Sequence, residues 1–308
     1  MVNRTCSCVV FVWRPQFKTL VVFPPISTLF FALPDLTSHN SGSAIPSLNR
    51  NFINPFEVLA PDLPTQTRIA EILSALDDKI ELNRRINGTL EQMAQTLYQQ
   101  YSEVVGAVPL SELIALNPKL SLKKGALSRY IEMSDLSENS ASIEKSVLRE
   151  FSGGSKFQNG DTLFARITPC LENGKTGFVN NLSENEVGYG STEFVVMRAK
   201  GEVSPYFVYC TARDNAFREH AIRSMIGTSG RQRVQVEMLD SFALPKWKAE
   251  DMQDFHTFAR TAFQKIKANS DEIRSLINLR DTLLPKLMSG EIDVHQLQNV
   301  AEYEPVLS

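Results

Sequence analysis

The sequence predicts an α+β protein in which one mixed α/β domain is flanked by two long helices of coiled-coil type. Three observations lead there: a heptad stripe near the start, a second near the end, and a Gly-punctuated block of short apolar runs between them.

The first helix is expected over 64–105. Ile69, Leu76, Asn83, Leu90 and Leu97 recur every seven residues, with Leu73, Ile80, Ala94 and Tyr101 in the companion row. Pro64 suits a first helical turn, where its missing N–H is no loss, and Gly106 and Pro109 end the run. The second helix is expected over 246–290. Phe255, Ala262, Asn269, Leu276 and Leu283 form one row, and Met252, Ala259, Ile266, Ile273 and Leu287 lie beside it. Ser289-Gly290 supplies a stop, and Pro285 is expected to kink or loosen the last turn.

The two helices are an internal repeat. A shift of 186 positions aligns Lys79 with Lys265, Ile80 with Ile266, Asn83 with Asn269, Leu90 with Leu276 and Leu97 with Leu283. Each helix of about 38 residues is about 57 Å long, with its asparagine near the midpoint. Antiparallel packing would bring Asn83 and Asn269 together, where a buried amide pair fixes register at a cost in stability. A solvent-facing position for one or both asparagines stays open.

Between the helices, 106–245 reads as one domain of ordinary size, about 140 residues. Asp161–Ile167, Thr176–Val179 and Ser191–Arg198 read as strands, Ser204–His220 as a helix, and Ala107–Leu116 as a brief lead-in helix. Residues 1–50 carry prolines and a Ser/Asn-rich stretch and stay unassigned, as a disordered or remnant extension. Residues 51–63 read as a tail left by a preceding domain, and 291–308 as a C-terminal tail.

Composition narrows function. Lys and Arg number 32 against 35 Asp and Glu, which excludes a charge-driven coater of DNA but leaves room for a local basic face. Cys6, Cys8, Cys170 and Cys210 form no ligand set, so a reduced, cytoplasmic protein is expected. The apolar run Thr19–Leu33 is broken by Pro24 and Pro25 and is too short for a membrane span. There is no GxxxxGK[ST] and no strand-following GxGxxG. Four scattered histidines give no metal spacing, and His256 reads as a solvated helix residue. Asn54-Pro55-Phe56 resembles the catalytic tetrapeptide of amino-methyltransferases but has no glycine-rich cofactor loop beside it. No catalytic residue, metal site or cofactor is expected.

The remaining constellations suit binding. Gly227-Thr-Ser-Gly-Arg-Gln-Arg-Val234 places Arg231, Gln232 and Arg233 behind Thr228, Ser229 and Gly230. Arg can bond guanine O6 and N7 in a fork and Gln adenine N6 and N7, while hydroxyls and glycine N–H groups suit phosphates. A second cluster holds Arg166, Thr168, Asn173 and Lys175, with Asn173-Gly174 as a tight turn that would put Lys175 at a loop tip. A third is Lys123, Lys124 and Arg129. Each also reads as an ordinary surface turn or strand edge.

The residues resemble a known family. Pro61–Asn87 and Leu279–Ile292 look like the two helical spacers of specificity subunits from type I restriction-modification systems. Gly160–Pro169 and Gly227–Val234 resemble features of their target recognition domains. The resemblance, over about 51–293, implies an antiparallel coiled coil acting as a ruler, with a target recognition domain at its end. It implies double-stranded DNA, a methyltransferase subunit and a motor-nuclease restriction subunit as partners, with no chemistry in this chain. One complete recognition domain rather than two implies a half-subunit that forms a homodimer, or a non-functional remnant. A coiled-coil interaction scaffold is the competing reading.

Overall fold

The computed structural model describes residues 61–101 and 106–294, apart from 144 and 229. The described residues divide into two compact units, one formed by those up to 82 and from 272, the other by 83–271. Two long helices, α1 (Leu63–Tyr101) and α5 (Ala249–Ser289), contribute to each. Asp62 starts α1: its carboxylate accepts the Thr65 N–H at 3.1 Å and its carbonyl the Gln66 N–H at 2.9 Å.

In the first unit the helices meet along an apolar seam. Ile69, Ile72 and Leu76 of α1 pack with Leu283 and Leu287 of α5, and Val294 closes the end. Lys79 pairs with Glu272 at 3.4 Å and Asp77 with Arg280 at 2.8 Å, so α5 runs opposite to α1. Pro285 sits inside α5, which continues past it to Ser289. It deprives only one carbonyl of its partner, and the packed Leu283 and Leu287 on either side hold the turn.

In the second unit the seam turns polar. Asn269 is buried and its Nδ2 donates to Asn87 Oδ1 at 2.8 Å, while Asn87 Nδ2 reaches Ser270 Oγ at 3.3 Å. Asn83 is buried as well, which removes the solvent-facing alternative. The direct amide bond of Asn269 is thus to Asn87, one helical turn beyond the expected Asn83, because the antiparallel register is set by packing and not by the repeat. Of the expected seam, Ile69, Leu76, Ile80, Phe255, Ala262, Ile266 and Leu283 are buried, and Leu90, Leu97 and Leu276 are half-buried.

The domain between the helices holds two four-stranded sheets. One runs β2 (Ile114–Leu116), β9 (Phe194–Ala199), β6 (Thr162–Ala165), β7 (Thr176–Phe178), all antiparallel. The other runs β4 (Val147–Glu150), β3 (Leu127–Ile131), β8 (Gly188–Gly190), β5 (Ser155–Phe157), with β3 and β8 parallel. The three expected strands are β6, β7 and β9. The expected lead-in helix is instead β1 (Ala107–Pro109), a single helical turn α2 (Leu110–Leu113) and β2. There β1 pairs with β12 (Ala243–Pro245) beside the start of α5.

The expected helix over 204–220 is two, α3 (Pro205–Arg213) and α4 (Asn215–Arg223). Asp214 divides them, since its carboxylate accepts the Ala216 and Phe217 N–H groups and caps α4. Phe207, Val208, Cys210 and Phe217 are buried as expected, in the core that also takes Tyr98, Trp247, Phe255 and Phe263 from the region of the long helices. Glu91 of α1 ties the domain down. Its carboxylate accepts Tyr209 O–H and Ala141 N–H, both at 2.8 Å, and Ser140 O–H at 3.1 Å. Among the described residues no helix is long and apolar enough to cross a membrane.

Candidate nucleic-acid interface

Parts of two expected clusters come together on one face. Strands β10 (Met225–Ile226) and β11 (Arg233–Val234) form a hairpin whose connection is residues 227–232. Gly227 and Gly230 have φ of +130° and +77°, which only glycine adopts without strain, and Arg231 N–H closes a turn on Thr228 O at 3.0 Å. The hairpin is fastened to the chain after β6. Val234 N–H donates to Arg166 O at 2.8 Å, Thr168 N–H to Gln232 O at 3.1 Å, and Gln232 N–H to Thr168 Oγ1 at 3.1 Å. Arg166, Thr228, Gly230, Arg231, Gln232 and Arg233 therefore share one surface, with Thr168 buried beneath it; Ser229 lies outside the described residues.

Their side chains differ in how much is left for a ligand. Glu193, which the sequence reading missed, joins the two arginines: its carboxylate takes Arg233 Nε at 2.9 Å and Arg166 Nε at 3.2 Å. The Arg233 hydrogen bond, aided by Arg166 and opposed by burial, holds the Glu193 carboxyl below the usual carboxylate range. Arg231 is exposed and its guanidinium makes no bond among the described residues, so its fork is available to a base edge. Thr168 is buried and spends its hydroxyl on the hairpin. Its role in the interface is to hold Gln232 in place.

The rest of the second cluster turns inward. Lys175 is half-buried and its ammonium donates to Met133 O at 3.1 Å, so it does not stand at a free loop tip. Asn173 donates to Glu138 Oε1 at 3.1 Å, and Arg213 bonds Gly174 O at 2.9 Å. The turn after Pro169 is anchored by these bonds to the segment before it and to α3, which a sequence motif of Asn-Gly-Lys cannot announce. Of the third cluster, Lys123 and Lys124 are exposed on the loop before β3, and Arg129 pairs with Glu186 at 3.4 Å.

Arg198 is structural. It forms a two-pronged bond to Asp161, Nε to Oδ1 at 2.6 Å and Nη2 to Oδ2 at 2.7 Å, and Asp161 is buried. His256 is half-buried against Ser204 Oγ at 3.1 Å rather than solvated, and burial lowers its pKa. No group of His, Cys, Asp and Glu among the described residues could hold a metal ion.

A two-sheet α/β lobe packed on antiparallel helices thus presents an exposed Arg-bearing hairpin. A model described as the type I restriction modification DNA specificity domain matches residues 10–92. The MjaIX specificity subunit of Methanocaldococcus jannaschii is 23% identical, covering 84% of this chain and 66% of the relative. The HindI specificity subunit of Haemophilus influenzae is 36% identical over 87 residues, 28% of this chain and 18% of that protein. The S subunit from M. genitalium superposes with a TM-score of 0.51 at 14% identity, over 85% of this chain and 71% of the other. The chain is similar, over these stretches, to specificity subunits of type I restriction-modification systems, and it shares the fold of the S subunit from M. genitalium. It spans about two thirds of the archaeal relative and under a fifth of the Haemophilus one.

The family match begins at residue 10, within the stretch that composition left unassigned. A signal for it exists in the chain itself. The same shift of 186 aligns Ser43 with Ser229, Leu48 with Val234, Ile53 with Leu239, Phe56 with Phe242 and Val58 with Leu244. Val234, Leu239 and Leu244 are core positions of the described domain.

Proposed function

We propose that this chain reads a DNA sequence on behalf of a type I restriction-modification complex and performs no chemistry itself. The observation that carries this is the fastening of the Gly227–Val234 hairpin to Arg166–Thr168, which gathers donors for phosphate and base edges on one face of a lobe tied to two antiparallel helices. A methyltransferase subunit would modify the site and a motor-nuclease subunit would cut, in the cytoplasm, where the genome lies. Residues 51–63, with the Ser/Asn-rich stretch before them, repeat the end of the described domain and fit the tail of another recognition lobe. Two copies of the described lobe related by a two-fold axis would read an inverted repeat.

The test is co-purification with the cognate methyltransferase subunit, followed by mapping of methylated adenines across a genome. Against the mapped site, Arg231→Ala should lose about 1–3 kcal/mol of specific binding and relax preference at one base position. Equal affinity of variant and parent would remove the hairpin from the reader. Absence of any methylated motif would remove the function.

A further inference from the structure

Beside the hairpin, two surface hollows of the same domain adjoin. One lies between the loop at Pro118–Lys119 and the residues Lys156, Arg166 and Thr192; the other lies among Tyr130, Arg149, Ser152 and Ser191. They share Gly154 and Thr192, and together form one trough that starts at Arg166 of the reading face. Four cations line it, Lys119, Arg149, Lys156 and Arg166, and no carboxylate does.

The floor is built to stay open. Ser155 of β5 pairs with Gly190 of β8, and a Cβ on Gly154 would lie 2.1 Å from the Gly190 carbonyl oxygen, so the Gly153-Gly154 turn is pressed against the sheet. The Tyr130 and Tyr189 rings, which also line the trough, meet at 5.0 Å with a tilt of 51°. The Arg149 guanidinium lies over Tyr130 at 4.8 Å, which orders it without using its N–H groups; its nearest carboxylate, Glu132, stands 3.9 Å away. The Lys119 ammonium and the Ser152 and Thr192 hydroxyls make no hydrogen bond or ion pair among the described residues, whereas Lys156 is spent on Leu120 O at 3.0 Å.

Arg166 is committed to Glu193 and Lys156 to Leu120 O, but Lys119, the Arg149 N–H groups and the Ser152 and Thr192 hydroxyls remain to suit an anion that only accepts. Phosphodiester oxygens fit; base edges, which offer donors as well, fit less well. We infer that this trough seats the sugar-phosphate backbone of the DNA, with Arg149 and Lys119 as its phosphate anchors. The inference rests on the DNA-reading function proposed above and adds the residues that position the duplex against Arg231 without reading it.

The experiment measures binding of the full chain to a short mixed-sequence duplex and to one carrying the mapped site, by fluorescence anisotropy over a range of salt. Arg149→Gln and Lys119→Gln should each flatten the slope of log K against log salt by about one, equally on both duplexes, and the double variant by about two. Arg149→Lys should keep the parent slope. Both side chains are exposed, so melting temperatures should stay at the parent value. A double variant with the parent slope overturns the trough while leaving the DNA-reading function standing. A loss confined to the mapped-site duplex overturns it too, since the trough would then be reading bases. A parent chain with no salt-dependent duplex binding sinks the function and the trough together.

Discussion

The same two helices hold in two different ways. In the first unit Ile69, Ile72, Leu76, Leu283 and Leu287 make a dry apolar seam, with ion pairs such as Asp77–Arg280 only at its margin. In the second, Asn87, Asn269 and Ser270 put amides and a hydroxyl inside the seam, and Ser142 of the α/β domain reaches Ser270 Oγ at 2.7 Å. Apolar contact is tolerant of sliding by a heptad; an amide pair is satisfied in one register only. The difference teaches that stability and alignment are assigned to separate stretches of one helix pair. The stretch that fixes alignment is the one that touches the α/β domain.

The largest effect that would break this division is a charge in the dry seam. Leu76→Asp or Leu283→Asp should cost about 4 kcal/mol or more, because each side chain is almost fully buried with no polar partner nearby. Urea unfolding checks it, and a loss under about 1 kcal/mol would mean that the seam is not what holds the helices.

A smaller effect sharpens the contrast. Asn269→Leu alone strands the Asn87 amide and should cost about 1–3 kcal/mol, whereas Asn87→Leu with Asn269→Leu should return to within about 1 kcal/mol of the parent. A double-mutant cycle measures the coupling. If the double variant were as unstable as the sum of the singles, the amides would not be acting as a pair.

The smallest effect concerns Glu91, which joins α1 to Tyr209, Ala141 and Ser140. Burial raises its carboxyl above the ordinary range, more than those hydrogen bonds and Arg213 lower it. The folded state therefore binds the proton more tightly than the unfolded chain. Stability falls as pH rises through the window from the ordinary carboxylate value to the raised one. Glu91→Gln should flatten that decline in melts taken across the window. An unchanged pH profile in the variant would assign the decline to another group.

Much of the architecture was legible because its signals are local. A heptad rests on 3.6 residues per turn, and a strand such as Thr162–Ala165 on its apolar run and flanking turns. The misreadings share a cause. Ala107–Leu116 is apolar enough for a helix, yet β1 pairs with β12 from over a hundred residues away. The break at Asp214 was visible in kind, since Asp is a strong cap, but Ser204–His220 carries an unbroken apolar face across it. At the candidate site, residue type suggested Arg166, Arg231 and Arg233 alike, and nothing in the motif marked Glu193 as the carboxylate that occupies two of them.

By itself the sequence determined two long helices, the α/β domain between them and the Gly-rich loop that bears Arg231, because periodicity and turn chemistry act over a few residues. Only the tertiary structure decided that both asparagines are buried and Asn269 bonds Asn87, that Lys175 turns inward, and that Arg231 makes no side-chain bond among the described residues while Arg166 and Arg233 share Glu193. Those outcomes depend on which partner reaches a polar group first, and the partners come from distant parts of the chain.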